Sequence, residues 1–593
     1  MDRIASFFND RIKSSLGNYV VGVTAATVVC IPATYFIYGR YMRGKMNQKI
    51  HRRAQRSQEN IEEMKDDLAK HAAIIDENIL QLSFRDLQKG LQDGNISATA
   101  ALRSYQAKAL EVNDEINAIT DVLEDAKVTA SKLDSLPSSE RGPLHGIPIS
   151  LKESCGIKGR DCTAGFGEMI DVPWEEDGVL VKVLKSQGAV PFVRTNLPQG
   201  MRSFACTNPI YGQTCNPHNK SRSPGGSSGG EGAIIGGEGS ILGVGSDIGG
   251  SIRIPANFCG IYALKPTAGR LSMIGNFGTG ALGGQKLVPP TDGPMGKDVE
   301  SLVQFMEAVL CQELFRLDPS TPPIPFRRDM YENWKPLKIG YYVYDECSRC
   351  VPAVERAVML AKAALEKLGH TLVETKPYKA AYSLQKILIP AFVADDGDGY
   401  KDLLKYDDSC GVMYELFNFH RKSYRERWFW AKLKELTGYD PMVTGAMKRE
   451  QIRTMKDWFL KANEAKKFRK EFTETWREQG LDAVICPCMP CVANTSGVDG
   501  QLLSAVTYTS LYNVVNFPAG TLPVTKVTKT DVAKTMDSSF YEAKTGIEKI
   551  IQADSEGTEG LPVGIQIVGL PYTEELVLRL MRELDNALKN GAP

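Results

Sequence analysis

The 593-residue chain has no surplus of either charge: 71 Lys+Arg stand against 71 Asp+Glu, a formal net charge of zero. Without a global basic field it is not built to hold nucleic acid through its phosphates. Histidine is scarce, with only His51, His71, His145, His218, His370 and His420. Neither His-Glu-x-x-His nor Gly-x4-Gly-Lys-Ser/Thr occurs, which removes zincin and P-loop chemistry. The 13 cysteines are an odd number without framework spacing, which suits a reducing compartment. Cys347-x-x-Cys350 and the cluster Cys486, Cys488, Cys491 lack the two clean pairs of a zinc site and read as small packed hydrophobes; no metal and no cofactor is expected.

What is present is ordinary globular composition, 42% hydrophobic and 24% charged, so wholesale disorder and a polytopic membrane protein are excluded. Length at about 150 residues per domain suggests three to four domains, although large α/β enzymes exceed that as one body.

One segment suits a bilayer. Ser14 to Gly39 carries no charge, and its apolar core, Tyr19 to Tyr38, is long enough at about 1.5 Å per residue to cross roughly 30 Å of hydrocarbon. Tyr19, Tyr35 and Tyr38 sit at its ends, and Pro32 kinks it without forbidding it. A signal peptide has a shorter apolar region, of about 7–15 residues. Arg40, Arg43, Lys45, Lys49, Arg52, Arg53 and Arg56 follow with no acid among residues 40–56, so the body is expected on the cytosolic side, with the basic run near anionic headgroups. Asn95-Ile-Ser and Asn494-Thr-Ser are then silent as glycosylation sites.

Three parts are expected: an anchor and basic flank at 1–45, a charged helical lead-in at 46–135, and a catalytic domain at 136–593. In the last, strands are predicted at Gly146–Lys152, Ala189–Thr195, Leu337–Val343 and Val563–Val568, and helices at Val179–Gln187, Ala353–Leu368 and Thr573–Leu588. Helices alternating with short buried strands indicate an α/β layer fold.

The excess glycine is local: twelve fall within residues 225–250. Such density lets backbone amides approach a ligand closely. A dinucleotide loop fails on spacing, since Gly243, Gly245 and Gly249 are one residue too long for Gly-x-Gly-x-x-Gly. Gly225-Gly-Ser227-Ser-Gly229 matches the letters of a nucleophile elbow, but Lys220–Pro224 before it is no buried strand. Ile234, Ile235, Ile241 and Ile248 speak against a solvated linker. A serine beside consecutive backbone N–H groups remains, the arrangement that acyl transfer uses.

The runs Gly225-Gly-Ser227-Ser228-Gly-Gly and Gly249-Gly250-Ser251, with Lys152 some 75 residues upstream, resemble the amidase signature family over roughly residues 90–580. The resemblance implies a central mixed, twisted β-sheet surrounded by many helices. It implies Ser251 as acyl nucleophile, Ser227 as bridging serine after a cis peptide bond, and Lys152 as base. The amides of Ile248, Gly249, Gly250 and Ser251 would bind the oxyanion, with Ser228, Asp247 and Arg253 in support. For Lys152 to be half neutral at pH 7, the amine must be destabilised as a cation by about 4.6 kcal/mol. Burial supplies shifts of that size.

Within the family the likeness is greatest to the membrane-anchored animal branch that hydrolyses fatty-acid amides, carried by the apolar N-terminus, by Ser223–Ala233 with Glu231, and by Thr195–Phe204. It implies Met201 as a substrate contact, N-acylethanolamines and primary fatty amides as substrates, a homodimer, and an endomembrane location. Arg202 departs from it, an apolar residue being usual there. Aromatic and basic residues at 412–436, with Met413, Phe417, Tyr424, Trp428 and Ala431 on one helical face, suggest an interfacial cap within 412–447. The alternatives are an amidase of small polar amides, an amidase subunit of a transamidosome, and a non-catalytic lipid-binding scaffold. The Tyr19–Tyr38 run speaks against the transamidosome, and intact Lys152, Ser227 and Ser251 against the scaffold.

Overall fold

A computed structural model describes residues 2–278, 285–395, 398–407, 422–436, 444–445, 448 and 452–591, the side chains of 2–35 and 398 excepted. Eleven strands form one sheet: β1 (Ile119–Val122), β2 (Pro148–Lys152), β3 (Val190–Thr195), β4 (Leu242–Asp247), β5 (Tyr262–Lys265), β6 (Thr291–Gly296), β7 (Lys338–Tyr341), β8 (Thr371–Glu374), β9 (Ala483–Cys486), β10 (Ala519–Lys526) and β11 (Pro562–Gly569). Their spatial order is β1-β3-β2-β4-β6-β5-β10-β11-β9-β7-β8. Two runs are parallel, β3-β2-β4 and β9-β7-β8; the other neighbours are antiparallel, so the sheet is mixed. Every residue of β2, β3, β4, β6 and β11 is buried, the mark of strands covered on both faces.

Helices cover it, among them α1 (Asp2–Lys70), α2 (Ala98–Ile116), α3 (Gly229–Gly236), α4 (Arg253–Cys259), α5 (Pro352–Lys367), α6 (Tyr424–Leu436), α7 (Met455–Glu478), α8 (Thr507–Val514) and α9 (Glu574–Lys589). In α9, Val577, Leu580, Met581 and Leu584 recur at helical spacing and are wholly buried. Each contributes about 1.5–3 kcal/mol by leaving water. Gly520 in β10 makes the room, since a side chain there would meet Val577 Cγ1 at 2.9 Å.

The predicted strands at 146–152, 189–195, 337–343 and 563–568 are present, as are the helices after 179, 353 and 573. The helical lead-in also supplies an edge strand: Ile119–Val122 is buried and pairs with β3.

The helix α1 is continuous from Asp2 to Lys70. Met46, Arg53, Ser57, Ile61, Met64 and Leu68 form its buried stripe. The Tyr19–Tyr38 run lies largely outside the described side chains; among the described residues no helix is long and apolar enough to cross a membrane. Phe36, Ile37, Tyr38 and Tyr41 are exposed.

Of the expected cap, residues 412–421, 437–443 and 446–447 lie outside the described residues. The described part, α6, corrects the face read from sequence. Ala431 and Arg427 are buried, whereas Tyr424, Trp428, Phe429, Trp430, Leu433 and Leu436 are exposed. The small Ala431 lies on the buried side of the helix, and the large apolar side chains point elsewhere. Met455, Phe459 and Leu460 at the start of α7 are exposed too.

Candidate active site

Parallel neighbours β2 and β4 deliver polar groups at their C-terminal ends, the usual ligand-facing side of such a pair. Lys152 closes β2 and is wholly buried. Its Nζ donates to Ser227 Oγ at 2.7 Å and to Ser246 Oγ at 2.9 Å. Burial pushes the amine down to about 8, against the pull of Cys155, Asp292, Cys206 and Asp247. At pH 7 roughly one molecule in ten then holds it neutral, against about three in ten thousand for an ordinary lysine.

Ser227 follows a cis Gly226–Ser227 peptide bond and is buried. The next residue ties the serine loop to β4: Ser228 N–H donates to Ser251 O (3.0 Å), and Ser246 N–H donates to Ser228 Oγ (3.1 Å). Ser251 is half-buried and lines a pocket. Among the described residues no hydrogen bond joins the Ser227 and Ser251 hydroxyls; the lysine half of the chain is closed and the serine half is not.

The loop after β4 is held by a buried charge pair. Arg253 Nε and Nη2 each donate to Asp247 at 3.1 Å, and Arg253 also reaches Thr509 O, Gln566 Oε1 and Asn513 Oδ1. Burial alone would raise the Asp247 carboxyl; the Arg253 guanidinium, with Lys265 and Asn513, overcomes it and holds the group well below the usual carboxylate range. Asp247 in turn accepts from Gly250 N–H (2.8 Å) and Ile252 N–H (3.1 Å). Of the four amides expected in the cradle, Gly250 N–H is thus the one directed to Asp247. Gly250 has φ +130°, a conformation that favours glycine. Thr509 in α8 donates its hydroxyl to Gly249 O at 2.7 Å, fixing the same loop from the far side.

Glu231 in α3 is wholly buried and accepts from Ser150 Oγ (2.7 Å) and Thr195 Oγ1 (2.6 Å), linking β2, β3 and α3. Burial pushes its carboxyl up to about 7, against those bonds and Lys152. Asp292, opposite Ser246 in β6, is likewise raised to about 7 by burial, against Lys152 and Asn276.

A partly open, mostly apolar pocket lies beside Ser251. Met201, Ile248, Gly249 and Ser251 line it, with Leu388 and Val506 among the apolar walls. Met201 adopts φ +56°, uncommon for a side chain of its size and a mark of a position held by its surroundings. Arg202 also lines it.

The sequence singles out Lys152, Ser227, Ser228, Asp247, Ser251, Arg253 and Met201 as candidates, and the structure places them around one pocket and the loops beside it. Sequence reading missed Ser246 and Thr509. A polar residue closing the strand beside Lys152 would have been the signal for Ser246, but strand order is not written in the chain. Among the described residues no group of three or more His, Cys, Asp and Glu side chains is disposed to hold a metal ion. Cys486, Cys488 and Cys491 are buried, with burial pushing their thiols up to about 11, 12 and 12.

The amidase family description matches residues 100–578. The chain belongs to the amidase signature family. This amidase is a hydrolase acting on amide carbon–nitrogen bonds. It is 38% identical over 526 residues to fatty-acid amide hydrolase 1 of Sus scrofa, covering 87% of each chain. It is 32% identical over 564 residues to fatty acid amide hydrolase 1 of Caenorhabditis elegans, covering 93% of this chain and 97% of that one. A solved fatty acid amide hydrolase shares the amidase fold with a TM-score of 0.75 at 24% identity, covering 92% of this chain and 96% of the other.

Proposed function

We propose that this amidase cleaves fatty-acid amides, both N-acylethanolamines and primary fatty amides, to free fatty acid and amine. The observation that carries the reading is an apolar pocket opening on Ser251, beside a buried amine hydrogen-bonded to Ser227. Neutral Lys152 takes a proton from Ser227 as Ser227 takes one from Ser251. Ser251 Oγ then attacks the amide carbonyl, and the oxyanion meets the amides of Ile248, Gly249 and Ser251. Asp247 and Arg253 hold that loop, and Ser228 fixes the spacing of the two serines. The proton returns from Lys152 through Ser227 to the leaving nitrogen, because an amine anion cannot depart. The C–N bond breaks, leaving a Ser251 ester and free amine. Water, deprotonated along the same route, adds to the ester and releases the acid with Ser251 restored.

A lipid substrate suits a membrane-bound enzyme. The Tyr19–Tyr38 run supports a single-pass anchor in an endomembrane with the body in the cytosol, and the exposed apolar side chains of α6 and α7 support a second contact with the bilayer. The homodimer is proposed on the family resemblance and is read by sedimentation in detergent.

Fluorophosphonate labelling tests the nucleophile: wild type is labelled, and Ser251→Ala is not. Oleamide and acetamide test the substrate class. Acetamide cleaved as efficiently as oleamide would overturn the lipid reading and leave an amidase of small amides. Trp428→Glu with Trp430→Glu, in a chain lacking residues 1–45, is expected to lower co-flotation with vesicles.

A further inference from the structure

The residues lining the Ser251 pocket are apolar or glycine except for Ser203, Ser251 and Arg202. The Arg202 guanidinium lies over two rings, with Cζ 4.2 Å from the Phe392 centroid and 5.1 Å from that of Tyr400. Its Nε donates to Tyr400 Oη at 3.1 Å, and Nη1 points at Phe392 O at 3.5 Å. Phe392 itself lines the pocket. Tyr400 does not; it is buried, its ring 5.7 Å from Phe166. The turn that presents Arg202 is fixed as well. A methyl group on Gly200 would lie 3.1 Å from Phe166 Cζ and 3.3 Å from Tyr400 Cε1, and Gly200 has φ +64°.

Tyr400 is thus anchored in the body, Arg202 is fastened to Tyr400, and Phe392 rests on Arg202. We propose that Arg202 is a specificity-determining residue: it holds the Phe392 ring in the pocket wall, so that a long acyl chain meets a surface already in place. The inference rests on the fatty-acid amide reading of the same pocket. Its physical basis is pre-organisation. A loose aromatic side chain must be ordered each time a chain binds, whereas a stacked one is ordered beforehand. Arginine suits the task because its flat guanidinium covers aromatic faces while its edge donates hydrogen bonds; lysine has the charge without the plane. Acetamide, whose acyl part is one methyl group, is too small to depend on that wall.

The test is kcat/KM for oleamide and for acetamide, by amine release from the full-length protein in detergent micelles. For Arg202→Leu and for Arg202→Lys, the oleamide-to-acetamide ratio is expected to fall about tenfold, the scale of one such stacking contact, and mainly through KM. Phe392→Ala should lower the ratio similarly, and Arg202→Leu combined with Phe392→Ala should lower it no further. The acid limb of the pH profile should stay in place. Equal loss on both substrates, a ratio retained by Arg202→Lys, or additive losses in the double variant would overturn the proposal. A wild-type enzyme that does not favour oleamide would overturn the fatty-amide reading itself, and this inference with it.

Discussion

Replacing Lys152 by methionine should abolish turnover and yet relieve the fold of a burden. The unfolded chain keeps a proton on this amine up to pH about 10.5, the folded chain only up to about 8. Between those values the unfolded state holds more protons, so raising pH removes a penalty on folding. The penalty is about 3 kcal/mol at pH 8 and about 1 kcal/mol at pH 10. Methionine matches the volume but leaves the Ser227 and Ser246 hydroxyls without their donor, about 1 kcal/mol each. The two effects nearly cancel at pH 8, so the absolute difference is uninformative and its pH dependence is decisive. Lys152→Met should lose about 2 kcal/mol relative to wild type between pH 8 and pH 10. With an unfolding entropy of about 2.1 cal/mol/K per residue, that is a drift of about 2 °C in the difference of melting temperatures. Melting both proteins across pH 8–10 reads it, above the range where Glu231 and Asp292 titrate. A difference independent of pH would refute the claim that burial lowers this amine.

The acid limb of kcat/KM should follow the same group: activity rises about tenfold per pH unit up to about 8 and then levels, because only the neutral amine accepts a proton. A limb near 6 would point to another base. Gly249→Ala should melt like wild type, since the nearest atom to the added methyl is Leu388 Cδ2 at 3.9 Å, yet hydrolysis should fall about a hundredfold as the methyl enters the pocket floor. Gly250→Ala should instead destabilise the fold, because φ is +130° and Ile254 Cδ1 stands 2.8 Å from the new carbon. Asp247→Asn strands the buried Arg253 charge and should cost about 3–5 kcal/mol, read as a lowered melting temperature with insoluble expression as the extreme.

Strands with branched apolar residues between turn signals, such as Val563–Val568, were legible, as were amphipathic helices such as Glu574–Lys589. The centre of the site was not legible as secondary structure. Gly229–Gly236 contains four glycines in eight residues and by propensity should not be helical, yet it is helix α3. Its neighbours explain it: a side chain at Gly229 would meet Cys206 Cβ at 2.6 Å, and one at Gly232 would meet Pro255 Cβ at 2.8 Å. Close packing imposes both the conformation and the residue. Leu242–Asp247 hides in the same way, since its glycines erase the alternation that marks a strand. The site residues were legible because they sit in long, distinctive runs. Thr509 was not, for it reaches Gly249 across some 260 residues of chain.

Beyond Pro32, helix α1 runs unbroken from Tyr38 into the body. From Tyr38 to Met46, the first buried residue of its stripe, it advances only eight residues, about 12 Å. For a chain anchored as proposed, the catalytic body is therefore no balloon on a string. Tipping the Tyr38 end of the anchor tips the pocket mouth with it, and bilayer thickness, through the tilt it imposes, becomes a variable in how a lipid amide is presented to Ser251.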